Sequence, residues 1–190
     1  LLDPSNIALH GKLINIRRKR SETDRLIKFY ESLLQKFSKN DTIKEKLIEI
    51  YITADRYDDA KKLIASSTPK AIFDLFLGDI ERALGKSDIA LALWEAATEK
   101  NSDDHSILFE AAERFNKHGF SEKAISLYEQ SYEHAPSPKE LDSVYARAFL
   151  FTNLGRKEEA ISMWNLIIKS LSNDYGISDG ECIDWAKREI

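Results

Sequence analysis

Residues 176–180, Gly-Ile-Ser-Asp-Gly, match the Gly-x-Ser-x-Gly pattern of a nucleophile elbow, in which a serine hydroxyl attacks a carbonyl group. The elbow requires a sharp turn from a strand into a helix, and no strand pattern precedes Ser178. Glu181 follows Ser178 at the spacing of a helix capping box. The motif therefore predicts the start of a helix, and we assign no catalytic residue.

Few side chains could bind a transition metal or act as a thiolate nucleophile. The four histidines are isolated, because none lies four residues from another and none has carboxylates at ligand spacing. Cys182 is the only cysteine, so an intramolecular disulfide or a site with several thiolates is excluded. We predict surface histidines, a packed cysteine, no metal, no cofactor, and a chain that is not an enzyme.

The charge distribution argues against a nucleic-acid partner. The formal net charge is −4, with nine basic and four acidic residues in 1–40 but three basic and eight acidic residues in 71–104. The acidic part would repel a phosphate backbone. The one dense basic patch, Arg17–Arg20, is interpreted as a solvated helix end or hinge.

The sequence also shows no signal for a membrane. No apolar run approaches the roughly 18 residues that span a bilayer, and the first residues lack a signal-peptide pattern. We therefore predict a cytoplasmic protein without a membrane partner. Because the chain begins with Leu-Leu-Asp-Pro rather than with Met, we expect a segment of a longer protein.

A glycine, an alanine five residues later and an aromatic residue four further on form a pattern that occurs three times. Its alanines are 34 and then 36 residues apart, and the two extra residues fall where Pro136 and Pro138 predict a turn. Such a period is typical of stacked helical repeats. The three copies are Gly85, Ala90 and Trp94; Gly119, Ala124 and Tyr128; and Gly155, Ala160 and Trp164.

Two earlier copies fit less well. Asp55 takes the glycine position and Ala60 the alanine position of a shortened copy, and the copy before it is degenerate. Proline at the first helical position is predicted at Pro69 and Pro138. We predict helix pairs over 7–40, 41–70, 71–104, 105–140 and 141–174, and a final capping helix over 179–190.

The recurring residue types have physical reasons. Two antiparallel helices cannot bury both of their apolar faces alone, so each pair packs on the next. The alanines allow helix backbones to approach closely, and a larger side chain there would push the pair apart. The glycines lie where the first helix of a pair ends, which favours a positive φ. The aromatic residues then fill the space between neighbouring helices.

These residues resemble the tetratricopeptide repeat (TPR) family, strongly over 71–170 and weakly over 41–70. The fourth copy carries the motif best, whereas Glu81 replaces the motif's tyrosine and Arg147 its leucine. The last residues are similar to the end of some bacterial repeat proteins, which points to a bacterial TPR-containing protein. The fourth copy matches at Leu108, Ala111, Ala112, Phe115, Gly119, Ala124, Tyr128, Ser131 and Pro136.

The resemblance implies an all-α, right-handed superhelix, an α-solenoid of about five TPR-like pairs within a single domain, 1–190. In that family the first helix of each pair lines a concave groove. The family's basic clamp for acidic C-terminal segments is absent, so we expect a basic or amphipathic peptide or protein segment in an acidic, partly aromatic groove. The implied groove residues include Glu45, Glu49, Asp79, Arg82, Phe109, Glu113, Asn116, Tyr145 and Phe149.

The resemblance leaves several functions open. The first is a non-catalytic scaffold for protein binding through the groove. The second is a TPR region within a larger enzyme or regulator whose chemistry lies outside these residues. The third is self-association into a homo-oligomer through the end helices. It also stays open whether the carboxylates merely solvate the groove while Phe109, Tyr145 and Phe149 pack internally.

Overall fold

The computed structural model describes residues 23–136, 140–174, 176–177 and 181–188, with the backbone alone for 181–183 and 185. These residues form ten α-helices and no strand, which confirms the predicted all-helical fold. The helices are α1 (Thr23–Lys36), α2 (Asp41–Thr53), α3 (Tyr57–Ala65), α4 (Ala71–Ala83), α5 (Ser87–Lys100), α6 (His105–Lys117), α7 (Ser121–His134), α8 (Asp142–Asn153), α9 (Lys157–Asn173) and α10 (Glu181–Arg188).

The chain divides into two compact units, unit 1 (Leu1–Trp94) and unit 2 (Glu95–Ile190). In unit 1, α2 packs against α1, α3 and α4, and α3 also contacts α4. In unit 2, successive helices from α6 to α10 pack against one another. Within each unit, helices that are adjacent in the chain therefore bury one another's apolar faces, as helical repeats require.

The turns inside the helix pairs use a left-handed backbone. Gly85, Gly119 and Gly155 have φ values of +81°, +85° and +72°, a conformation that side chains disfavour and that commonly ends a helix. Asp55 holds the corresponding turn between α2 and α3 at φ +58°. Its carboxylate accepts a hydrogen bond from the Tyr57 hydroxyl at 2.6 Å. The predicted turn positions are confirmed, including the one where aspartate replaces glycine.

Small residues are buried between the helices. Ala60, Ala90 and Ala124 are fully buried, as predicted for the motif's alanine position. Gly78 on α4 provides a further close contact, because the indole ring of Trp94 on α5 lies directly against its backbone. The indole N–H of Trp94 donates to the carbonyl oxygen of Leu75 at 3.1 Å. The ring is thus held across α4 at a point where no side chain intervenes.

The two departures from the TPR motif form ion pairs between helices. Glu81 on α4 binds Lys61 on α3 at 2.6 Å, and Lys86 also contacts it at 3.0 Å. Arg147 on α8, which is buried, binds Glu129 on α7 at 3.1 Å. In both cases an ion pair joins the second helix of one pair to the first helix of the next. Charged residues thus replace a tyrosine and a leucine of the motif without interrupting either helix.

The predicted helix starts are only partly correct. Pro69 is not the first helical residue, because α4 begins at Ala71 after an extended Lys70 with φ −142° and ψ 148°. Side-chain caps instead occur at Asn40, which binds the Ile43 N–H, and at Asp104. Pro138, Ser178 and residues 1–22, with the predicted first helix and the Arg17–Arg20 patch, lie outside the described residues.

Candidate functional site

Helices α6 and α8 are the first helices of the two pairs in unit 2, and they carry the predicted groove aromatics. Phe109 on α6 contacts Tyr128 on α7, with ring centroids 5.6 Å apart. Tyr145 and Phe149 on α8 both meet the buried Trp164 on α9 edge to face, at 6.0 and 5.3 Å. Residues four apart share one side of a helix. The aromatic residue of each second helix therefore supports a groove aromatic of its own pair.

The three groove aromatics differ in exposure. Phe109 and Tyr145 are half-buried, whereas 45% of the Phe149 surface is exposed to solvent. The alternative that all three pack internally thus fits the first two residues better than Phe149. An aromatic ring that is supported on one side and exposed on the other is a rigid apolar contact surface.

Glu113 lies one turn after Phe109 and accepts a hydrogen bond from the hydroxyl of Tyr128. Burial of Tyr128, reinforced by this carboxylate, raises the pKa of its hydroxyl, while a hydrogen bond to Asn116 opposes the shift. The hydroxyl therefore stays protonated and holds the carboxylate in place. Among the described residues, no basic side chain forms an ion pair with Glu113. We call Phe109, Glu113, Asn116, Tyr145 and Phe149 the α6–α8 face.

The predicted groove residues of unit 1 have a different environment. Lys70 binds Glu45 at 3.4 Å and Asp41 at 2.9 Å. Lys46 binds Glu49 at 2.8 Å, three residues along the same helix. Both predicted groove carboxylates on α2 are therefore already neutralised within unit 1. Hydrogen bonding to Lys70 also lowers the pKa of Asp41.

The remaining unit 1 residues lie on α4. Asp79 and Arg82 are half-buried and three residues apart. The guanidinium of Arg82 donates a hydrogen bond to the hydroxyl of Ser87 at the start of α5. That contact ties Arg82 to the start of α5, the second helix of its own pair. Whether Asp79 and Arg82 take part in binding stays a prediction.

A pocket that the sequence did not indicate lies at the start of α6 and α8. Phe109, which the TPR resemblance places in the groove, lines it together with His105, Ser106, Glu140 and Asp142. Its residues come from three helices and a connection, so no local spacing could reveal it. One available signal was Ser131 at the motif's small alanine position, where a hydroxyl implies a buried polar contact.

The described residues contain no group of three or more histidine, cysteine or acidic side chains arranged to hold a metal ion. The histidines at 105, 118 and 134 lie on separate helix ends. None of the described helices is long and apolar enough to cross a membrane.

No family model matches the sequence, and none of the curated proteins matches it. Solved structures do share its fold. YrrB, described as a TPR protein with an unusual peptide-binding site, is 19% identical, with 94% of this chain and 90% of that one covered and a TM-score of 0.51. The thermophilic TPR protein TTC0263 of Thermus thermophilus is 15% identical, with 98% of both chains covered and a TM-score of 0.60.

A third similar structure is the C-terminal part of a TPR repeat-containing protein from Cytophaga hutchinsonii. It is 17% identical, covers 94% of this chain and 69% of that one, and has a TM-score of 0.54. The chain therefore has the fold of TPR proteins, which confirms the resemblance that its repeated residues predicted. It is a helical-repeat protein.

Proposed function

We propose that this chain is a non-catalytic scaffold that binds a basic or amphipathic segment of a partner protein on the α6–α8 face. The observation that carries the proposal is the combination of the exposed, supported ring of Phe149 with the carboxylate of Glu113, which has no cationic partner among the described residues. The peptide-binding site named for YrrB adds support by analogy of fold alone.

The chemistry of the face favours a basic segment with apolar side chains. A partner's apolar side chain would cover Phe149, and burial of apolar surface gives about 25 cal/mol per Å². A lysine or arginine of the same segment would neutralise Glu113, and its stem would contact the aromatic rings. An acidic segment could make the same apolar contact with Phe149, but the carboxylate of Glu113 would repel it. We therefore expect the charge of Glu113 to contribute more to selectivity between partners than to the total binding affinity.

We propose a smaller contribution from the groove residues of unit 1. Glu45 and Glu49 would have to exchange Lys70 and Lys46 for a partner's cation. Exchange of one exposed ion pair for another gives little net free energy, because such pairs contribute only about 0–1 kcal/mol. The α6–α8 face, by contrast, offers the carboxylate of Glu113, which has no cationic partner in the part of the chain that the structure describes.

The proposal is tested by selecting peptides from a displayed library of random twelve-residue sequences against the full chain. Fluorescence anisotropy then gives the affinity of a selected peptide for the wild type and for Phe149→Ser and Glu113→Gln. We expect basic, partly apolar peptides, and about tenfold weaker binding in each variant. Glutamine keeps an acceptor for Tyr128, so Glu113→Gln removes the charge and keeps that hydrogen bond.

Two matched variants serve as controls. Phe120→Ser removes an aromatic ring that is 42% exposed but lies in the turn between α6 and α7. Glu99→Gln removes an exposed carboxylate on α5. Both should bind the peptide with wild-type affinity. Acidic selected peptides, or equal losses in the controls and in the face variants, would contradict the proposal.

A further inference from the structure

A pocket of about 180 Å³ opens in unit 2 between the first turns of α6 and α8 and the last turn of α7. Its volume corresponds to about six water molecules at their share of liquid volume. Sites for small molecules begin at roughly 300 Å³. The pocket is therefore smaller than most sites for drug-sized ligands, and its size suits the end of one amino-acid side chain.

Buried hydroxyl groups form the inner end of the pocket. The Ser131 hydroxyl donates to the carbonyl oxygen of His105 at 2.8 Å, and the Ser143 hydroxyl donates to Ser131 Oγ at 2.8 Å. Both serines are almost completely buried, at 2% and 5% exposure. This chain of hydrogen bonds links α6, α7 and α8, so the pocket has a fixed, polar and uncharged end.

The outer part of the pocket carries negative charge. Glu110, Glu140 and Asp142 line it, and only one of these carboxylates has a permanently charged partner among the described residues. That partner is Arg114, at 2.7 Å from Glu110. Glu140 lies 3.9 Å from His105, which adds positive charge only when it is protonated. Asp142 has no basic partner in the described part of the chain. The charge therefore selects a cation.

The helix N-termini beside the pocket do not reverse this preference. Backbone N–H groups at a helix start attract anions. At α6, however, Asp104 already accepts hydrogen bonds from the N–H groups of Ser106 and Ile107, at 3.0 and 3.2 Å. At α8, Asp142 lies in the first turn and supplies the favourable negative charge itself.

We propose that this pocket binds the guanidinium group of an arginine side chain in the partner segment, an inference that rests on the proposed function. Several acceptors surround the opening, and a guanidinium has five N–H donors that reach acceptors on different sides. Phe109 supplies an aromatic wall on which a flat cation is favoured. Phe109 also belongs to the α6–α8 face, so one segment can cover the face and insert its arginine.

The test uses a selected twelve-residue peptide and its copy in which arginine is replaced by citrulline, which has the same shape without the charge. Fluorescence anisotropy gives both affinities for the wild type, Asp142→Asn, Glu140→Gln and the control Glu99→Gln. We expect citrulline to weaken binding to the wild type and to the control about tenfold or more. In Asp142→Asn and Glu140→Gln, the loss of affinity caused by citrulline should be severalfold smaller. If Asp142 and Glu140 only stabilised the fold, their substitution would weaken both peptides equally.

The outcomes separate this inference from the proposed function. Selected peptides that bind the α6–α8 face but lack arginine would contradict the arginine site and leave the proposed function standing. So would equal affinities of the arginine and citrulline peptides for the wild type, or an undiminished citrulline penalty in both pocket variants. A preference for peptides with an acidic residue at that position would show an anion site instead. A library without any specific binder would overturn the proposed function and the pocket together.

Discussion

Replacing Gly78 by alanine tests the packing of α4 against Trp94 in unit 1. Helix propensity alone predicts a gain, because alanine is about 1 kcal/mol more favourable than glycine inside a helix. The structure predicts the opposite sign. A Cβ added at Gly78 would lie only 2.5 Å from Cδ1 of the Trp94 ring, closer than any ordinary contact between carbon atoms.

The size of the stability loss in Gly78→Ala depends on how far the Trp94 ring must move to admit the new methyl group. Trp94 is fully buried, so its ring can leave Gly78 only by disturbing neighbours or by losing the hydrogen bond to Leu75. Overpacking of this kind costs about 1–3 kcal/mol, and a lost hydrogen bond costs about 1 kcal/mol. After the propensity gain is subtracted, we expect Gly78→Ala to lower the free energy of unfolding by about 1–3 kcal/mol.

Urea unfolding followed by circular dichroism at 222 nm measures this change through the midpoint, at an unchanged slope. The matched experiment repeats Gly78→Ala in a Trp94→Leu background, where the smaller side chain leaves room for a methyl group. There the alanine should be neutral or stabilising, so the two substitutions should couple strongly. A Gly78→Ala single variant more stable than the parent would refute the proposed contact.

Four further predictions concern stability. Asp55→Gly should raise the free energy of unfolding by about 1 kcal/mol in urea titrations, because glycine adopts the φ of +58° without strain; a loss would show that the Tyr57 hydrogen bond dominates. The melting temperature of Arg147→Leu should lie within a few degrees of the parent's or above it, because leucine packing can replace a buried ion pair. The melting temperature of Arg147→Ala should be lower, because alanine leaves a cavity. Hydrogen bonding to Lys61 lowers the pKa of Glu81, so the ionised Glu81 stabilises the fold above the usual glutamate pKa, and this stabilisation is lost as the pH falls through the pKa of the folded state. Glu81→Gln should therefore make the free energy of unfolding less dependent on pH below about pH 4.5, and an unchanged pH dependence would contradict this. Ala124→Leu should lower the free energy of unfolding by about 1–3 kcal/mol, because Ala124 is fully buried. Equal melting temperatures of variant and parent would contradict the assignment of Ala124 to the repeat's tightly packed alanine position.

Local requirements made the repeats readable from the sequence. The turns need a left-handed backbone, which glycine provides, and their recurrence at Gly85, Gly119 and Gly155 located them. The alanines were readable for a similar reason, since only a small side chain fits where helices are closest. The predicted start of α4 at Pro69 was wrong by two residues, because Lys70 has an extended backbone and the first turn begins only after it.

The electrostatics of the site depend on contacts between distant residues. Lys70 neutralises Glu45 from 25 residues away, so the sequence alone suggested an acidic groove in unit 1 that the structure shows to be partly compensated. Glu81 and Arg147 looked like defects in the motif because their partners, Lys61 and Glu129, lie on other helices. Spacing along one helix cannot reveal such pairs.

Binding of a partner segment to the α6–α8 face is tested by locating a bound peptide on the folded chain. Two-dimensional ¹H–¹⁵N NMR spectra of the full chain, recorded during titration with a library-selected peptide, show which backbone amides change. If the α6–α8 face binds the segment, the changes should be saturable and concentrated on α6 and α8, at Phe109, Glu113 and Phe149, with little change near Phe120. Changes confined to the outer surfaces of α7 and α9, or to unit 1, would contradict it.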